Sequence, residues 1–140
     1  MRELKFRCWG IKENKYLKLH SIHLSTSKFI VSYYGVGGGN ISIALKDVII
    51  EQYTGLKDKN GKEIYEGDIV EQFVCGVKKF KGKEVGRKTV WQVRWNEEEC
   101  CFELHYLSGS LFGDSLMAKG EEYEVIGNIH ENPDFLKGEE

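Results

Sequence analysis

Hydrophobic and polar positions alternate with a period of two over much of the chain. In residues 4–9, Leu4, Phe6 and Cys8 fall on one side, with Lys5 and Arg7 on the other. That spacing predicts a half-buried strand. Glu13-Asn14 suits a turn, and Tyr16, Leu17 and Leu19 open a second strand reaching toward Leu24. A third strand is predicted over 29–34, after the polar turn Ser25-Thr26-Ser27. Gly35-Val36-Gly37-Gly38-Gly39-Asn40 must be a loop, because so many glycines lose too much entropy inside an element. Ile41, Ile43 and Leu45 alternate again, and residues 48–53 are β-branched and aromatic.

The second part follows the same rule. Asp58-Lys59-Asn60-Gly61 and Glu66-Gly67-Asp68 read as tight turns. Strands are predicted over 69–74, 89–95, 100–107 and 123–129, with Asn96-Glu97-Glu98-Glu99 as a hairpin turn. Residues 76–88 read as a long lysine-rich hairpin loop, and Leu111, Phe112, Leu116 and Met117 as anchors of a short helical turn. The expected fold is mostly β, with α+β as the variant. After residue 64 the pattern resembles small SH3-like barrels, in which a Gly-Asp turn launches an Ile-Val strand and short hairpins follow. The expected division is a β-rich portion over 1–53, an SH3-like barrel portion over 54–133 and an acidic tail over 134–140.

Composition narrows the class. The 140 residues are 41% hydrophobic and 30% charged, a globular balance. The net charge of −2 removes a whole-domain electrostatic case for nucleic acid. The charge is uneven, +4 over residues 1–55 and −6 over 56–140. No apolar run has the length of a signal peptide or a membrane span, so a cytoplasmic protein is expected. Cys8, Cys75, Cys100 and Cys101 contain no C-x-x-C pair; they read as apolar packing residues, with no metal and no cofactor.

Residues 52–70, Gln-Tyr-Thr-Gly-Leu-Lys-Asp-Lys-Asn-Gly-Lys-Glu-Ile-Tyr-Glu-Gly-Asp-Ile-Val, resemble the hallmark string of the YopX family. The opening from Arg2 to Trp9 and the closing Tyr123-Glu124-Val125-Ile126-Gly127-Asn128-Ile129-His130-Glu131-Asn132-Pro133 resemble that family's ends. Gly10 stands where the family usually has Asp, and Leu17 where it often has Met. The resemblance implies a small protein of phages and prophages, with an SH3-like barrel after an N-terminal portion. It implies no catalytic or binding residues.

Several strings invite chemistry. Phe112-Gly113-Asp114-Ser115-Leu116 spells an esterase block, but the Asp-x-x-His partner that such enzymes carry is absent by spacing, and the string reads as fortuitous. Asp58-Lys59-Asn60-Gly61 fails the calcium-loop pattern and reads as a structural turn, together with Gly55, Gly67 and Asp68. His20 and His23 read as surface histidines. Residues 78–88 hold six cations and one acid; Lys78, Lys79, Phe80, Lys81, Lys83, Arg87 and Lys88 are the candidate binding residues, able to neutralise phosphates and stack a base. Trp91, Trp95, Phe102 and Tyr106 are candidates for an aromatic contact patch, with Trp91 and Trp95 on the core face of Val93. The leading expectation is a non-enzymatic binding or assembly module whose partner is a phage or host protein or a second copy. A nucleic-acid-binding protein using the 78–88 loop is the alternative.

Overall fold

A computed structural model describes residues 3–24, 29–74, 79–80, 83–84, 86–109, 113–119 and 121–138. The chain divides into two compact units, Met1–Tyr53 and Thr54–Glu140. Mostly β architecture, as expected from the alternation, holds throughout.

In the first unit β1 (Phe6–Gly10) lies between β2 (Lys15–Leu17) and the start of β6 (Val48–Lys57), all antiparallel. A second antiparallel sheet has β4 (Phe29–Tyr34) between β3 (Leu19–Leu24) and β5 (Asn40–Ala44). One turn of 3-10 helix, Leu45–Asp47, links β5 to β6. The two sheets share one core, built from Cys8, Leu17, Val31 and Val48, with Leu19, Tyr33 and Ile43 against it. The single long strand expected from Tyr16 to Leu24 is two strands, because the chain changes sheets at Lys18.

The simple alternation expected at the start of the chain is also corrected. Leu4 and Phe6 are exposed, while both Cys8 and Trp9 are buried. The reason is Tyr16, whose ring meets Trp9 edge-on at 4.9 Å and lies 4.6 Å from the Arg7 guanidinium. Arg7 and Glu51 are register partners and form an ion pair, and the Tyr16 hydroxyl donates to the same carboxylate at 3.1 Å. Glu51, fully buried, is thus neutralised in place.

The second unit is a five-stranded antiparallel sheet in the order β13 (Ser115–Leu116), β12 (Cys101–Gly109), β11 (Arg87–Asn96), β8 (Asp68–Val74), β14 (Tyr123–Asn128). First and last long strands are neighbours, as an SH3-like barrel requires. β7 (Glu63–Tyr65) pairs with the end of β6, and β9 (Lys79–Phe80) pairs with β10 (Lys83–Glu84). Ile64, Val70, Trp91, Val93, Leu104 and Tyr123 form the core. Trp91 keeps its indole N–H satisfied on Gln72 Oε1 at 3.1 Å.

Two expectations change here. Gly55, read as a turn residue, lies within β6. Gly55, at φ +89°, lets the strand bend, and Thr54 Oγ1 donates to the Ile64 carbonyl and accepts from Leu56 N–H. Of the helical turn expected from Leu111 to Met117, Leu111 and Phe112 lie outside the described residues, and Ser115–Leu116 is β13, paired with β12. Pro133–Gly138, which runs into the acidic 134–140 stretch, is a 3-10 helix beside β12.

The two corners of the central string are closed by buried carboxylates. Asp58 Oδ1 accepts from Asn60 and Lys62 N–H, each at 2.9 Å, and Oδ2 accepts from Val125 N–H at 3.1 Å. Lys59 N–H reaches the Tyr123 carbonyl at 2.8 Å, so this turn covers the edge of β14. Burial alone would push the Asp58 carboxyl up. The N–H groups of Val125, Lys62 and Asn60 outweigh it and hold the carboxyl below its ordinary value. Asp68 Oδ2 accepts from Tyr65 N–H at 2.8 Å, while Gly67 donates to the Val93 carbonyl and accepts from Ile129 N–H.

Asp58→Ala strands three backbone donors and is expected to cost about 3 kcal/mol in urea unfolding at neutral pH. A depressed folded-state carboxyl stabilises above its unfolded pKa, near 4, and loses that contribution as pH falls through the folded value. The urea midpoint should therefore drop as the pH is taken below about 4, and Asp58→Asn should lack that part of the drop.

Candidate functional sites

The basic stretch is a small hairpin followed by a strand. Backbone positions place Lys79 and Phe80 on β9, Lys83 on β10 and Arg87 at the start of β11. Lys78 and Lys81 lie outside the described residues. Lys88 is paired with Glu71 at 3.1 Å. It borders a cavity of about 250 Å³ that Lys59, Phe73, Glu71, Glu122 and Glu124 also line. Lys59 is paired with Glu124 at 3.0 Å. Three carboxylates and two ammonium groups make this a mixed-charge surface, a weak cradle for phosphate.

The esterase-like string meets a histidine that spacing could not find. Pairing of β12 with β13 brings His105 Nδ1 within 2.9 Å of Asp114 Oδ1. The same carboxylate accepts from Tyr106 N–H at 3.1 Å and from Arg94 at 3.2 Å. Burial pushes the Asp114 carboxyl up, but the Tyr106 N–H, His105 and Arg94 together hold it below its ordinary value. Arg94 also donates to Glu103 at 2.7 Å, and Asn96 donates to the other oxygen of Glu103. Asp114 is thus a clamp between strands. Ser115 Oγ donates to the Leu116 carbonyl at 3.5 Å. Among the described residues no group of three or more His, Cys, Asp or Glu could hold a metal ion.

The four candidate aromatics separate. Trp91 is buried, and Tyr106 packs edge-on against it at 6.1 Å. Trp95, four residues along the same face, is 38% exposed and pairs edge-on with Phe102 at 5.1 Å. These two rings flank the hairpin turn of Glu97, Glu98 and Glu99, all exposed. Asn96 Oδ1 accepts from Glu98 and Glu99 N–H, each at 3.0 Å, and Cys100 closes the turn at φ +53°. The alternation of β11 pointed to the shared face, but not to where the core ends along it.

A further pocket, of about 300 Å³, lies in the first unit between β2 and the β4–β5 hairpin. Tyr16, Leu17, Tyr33, Tyr34 and Ile41 supply its walls, and Glu13, Lys15 and Lys18 its charges. Glu13 folds back over Gly10: a methyl group placed there would lie 2.4 Å from Glu13 Oε2 and 2.9 Å from Leu17 Cδ1. Glu13 Oε2 is buried and has no hydrogen-bond partner among the described residues. Burial, with the charges of Glu13 and Glu51, pushes the nearby Cys8 thiol up to about 11. The sequence offered no signal for this pocket beyond a turn at Glu13-Asn14.

With the geometry in hand, a family model described as YopX protein matches residues 5–137. The chain belongs to the YopX family. It is similar to the crystal structure of protein EF1440 from Enterococcus faecalis, with 27% identity, 97% of this chain and 99% of that chain covered, and a TM-score of 0.59. It is also similar to the crystal structure of protein yopX from Bacillus subtilis, with 17% identity, 96% and 98% covered, and a TM-score of 0.56; that likeness speaks for the fold. No curated protein matches. Among the described residues of this YopX-family chain, no helix is long and apolar enough to cross a membrane.

Burial predicts that the tryptophans respond differently. Trp91→Ala should cost about 3–5 kcal/mol of stability, and Trp95→Ala about 1 kcal/mol or less. Acrylamide should quench a component of the emission that disappears in Trp95→Phe.

Proposed function

We propose that this YopX-family chain is a non-enzymatic binding module of phage or prophage origin, acting in the bacterial cytoplasm on a protein partner. The observation that carries the reading is the half-exposed Trp95–Phe102 pair beside three exposed glutamates. Aromatic anchors with a charged rim are the usual composition of a protein contact centre. The acidic rim favours a partner with a basic surface around an apolar pocket. A second copy of the chain is the other occupant that one experiment can separate.

The alternative is nucleic-acid contact through the 78–88 loop. Its support is the hairpin carrying Lys79, Phe80 and Lys83, with Arg87 following. The pairing of Lys88 with Glu71 and the carboxylates of Glu122 and Glu124 nearby weigh against it.

The test is capture from host lysate on immobilised wild-type protein and on Trp95→Ser, with nuclease-treated lysate in parallel. A defined protein retained by the wild type, released by salt and lost with Trp95→Ser supports the proposal. Light scattering that gives a dimer mass for the wild type and a monomer for Trp95→Ser assigns the surface to a second copy. Capture that survives Trp95→Ser overturns the surface. Salt-sensitive binding of short DNA or RNA in fluorescence anisotropy, lost when Lys79 and Lys83 become Glu, moves the function to the alternative.

A further inference from the structure

Of the strands that end a described sheet, all but one are guarded. Strand β3 carries a register shift between Leu19 and Ser21, and β14 another between Val125 and Gly127, under the turn at Asp58. Strands β2 and β7 are three residues long and bear Lys15 and Glu63, while β9, β10 and β13 are two residues long. Bulges, charges and brevity each keep a sheet from growing sideways. Strand β5 (Asn40–Ala44) has none of them. Its sequence Asn-Ile-Ser-Ile-Ala keeps an unbroken register with β4 and holds no charge and no proline. Among the described residues it has a neighbouring strand on one side alone, and Asn40, Ile41, Ser42 and Ala44 are exposed.

The bare side is readable group by group. Tyr34 N–H turns toward the β3 side, onto the Lys18 carbonyl at 2.9 Å. Backbone groups alternate along a strand, so Tyr33 and Val31 turn toward β5 and bond Ile41 and Ile43 opposite them. Asn40, Ser42 and Ala44 therefore aim their N–H groups away from β4. An unpaired row of this kind is a template for one more strand.

The sequence selects that strand, because β5 is complementary to itself. Antiparallel pairing centred on Ser42 uses all five of its residues. Ser42 exchanges both main-chain bonds with the partner's Ser42, and Ala44 N–H donates to the carbonyl of the partner's Asn40. Ile41 faces the partner's Ile43, and no like charges meet. Gly39 then lies opposite the partner's Leu45. Gly37 and Gly38 have φ of +96° and +89°, which favours glycine; Gly39 has no such φ, and a methyl group placed on it would meet nothing within 4 Å in its own chain. Its own turn leaves that glycine unexplained, whereas a second strand gives it a use, as room for Leu45.

We propose that two copies of this chain pair antiparallel through β5, joining their β3–β4–β5 sheets into one continuous sheet. The contact is two-fold symmetric and short, so the dimer is weak and forms with a micromolar dissociation constant. It rests on the first unit and is independent of the Trp95 surface, which belongs to the other.

The experiment is sedimentation velocity of the full-length protein from about 1 to about 500 µM. The mass should rise from monomer to dimer with concentration. Ser42→Pro removes an outward N–H and leaves the β4 ladder its bonds, at a kind of edge position that accepts proline. It should stay monomeric with an unchanged circular dichroism spectrum. Ser42→Lys and Ser42→Glu each set like charges against one another and should weaken the dimer about tenfold. Mixed in equal amounts, these two should restore it as a heterodimer, a result that reads the centred register and does not depend on the proline variant folding. Trp95→Ser should remain dimeric, which separates this contact from the Trp95 surface. A wild-type monomer throughout overturns the proposal and leaves the edge to an extended segment of another protein. A dimer that survives in Ser42→Pro overturns it, as does one lost in Trp95→Ser. So does a lysine and glutamate mixture that associates no better than either variant alone.

Discussion

The second unit depends on a single carboxylate. Asp58 gathers three backbone N–H groups, two from its own turn and one from Val125 on the last long strand. Local turn chemistry and long-range strand docking are therefore the same interaction. Without it, the edge of β14 would present an unpaired donor, and the 58–62 turn would lose the group that shapes it. Gly67 and Asp68 repeat the design at the next corner. A backbone amide and carbonyl bind β11 and the residue after β14, and a buried side chain holds the turn.

Charge burial is managed differently in the two units. In the first, Glu51 is matched by Arg7 across the sheet and by the Tyr16 hydroxyl, so ring packing and ion pairing cover one another. In the second, Asp58 relies on peptide dipoles, which carry no counter-charge and cost no side-chain entropy. Glu13 follows neither rule: its buried Oε2, packed over Gly10, has no partner, whereas the other described buried side-chain polar atoms do.

Much of the fold was legible because period-two alternation and turn residues are local signals. Strands β4, β8 and β14 and the 96–99 turn were read close to their positions. The misreadings have physical causes. Gly55 looks like a turn residue because glycine is a poor strand former, yet pairing of β6 with β7 overrides that preference. Lys18 interrupts an unbroken alternation because the chain changes sheets there, a tertiary event without a local mark. Of the sites, the basic residues were visible as composition, and the aromatic face of β11 as alternation. The Asp114–His105 contact and the Glu13 pocket were invisible. Each joins residues brought together by strand pairing or by a turn folding over a glycine.

The bond from Val125 to Asp58 joins residues 67 positions apart. During synthesis the turn at 58–61 leaves the ribosome long before its third donor exists. Strand β8 waits equally long for β14. The barrel portion thus closes only when almost the whole chain has been made, and until then its Ile64–Val70 face stays open to the cell. A chain that stalls or is cut ahead of Val125 would be a sticky hairpin stack rather than a smaller version of the domain.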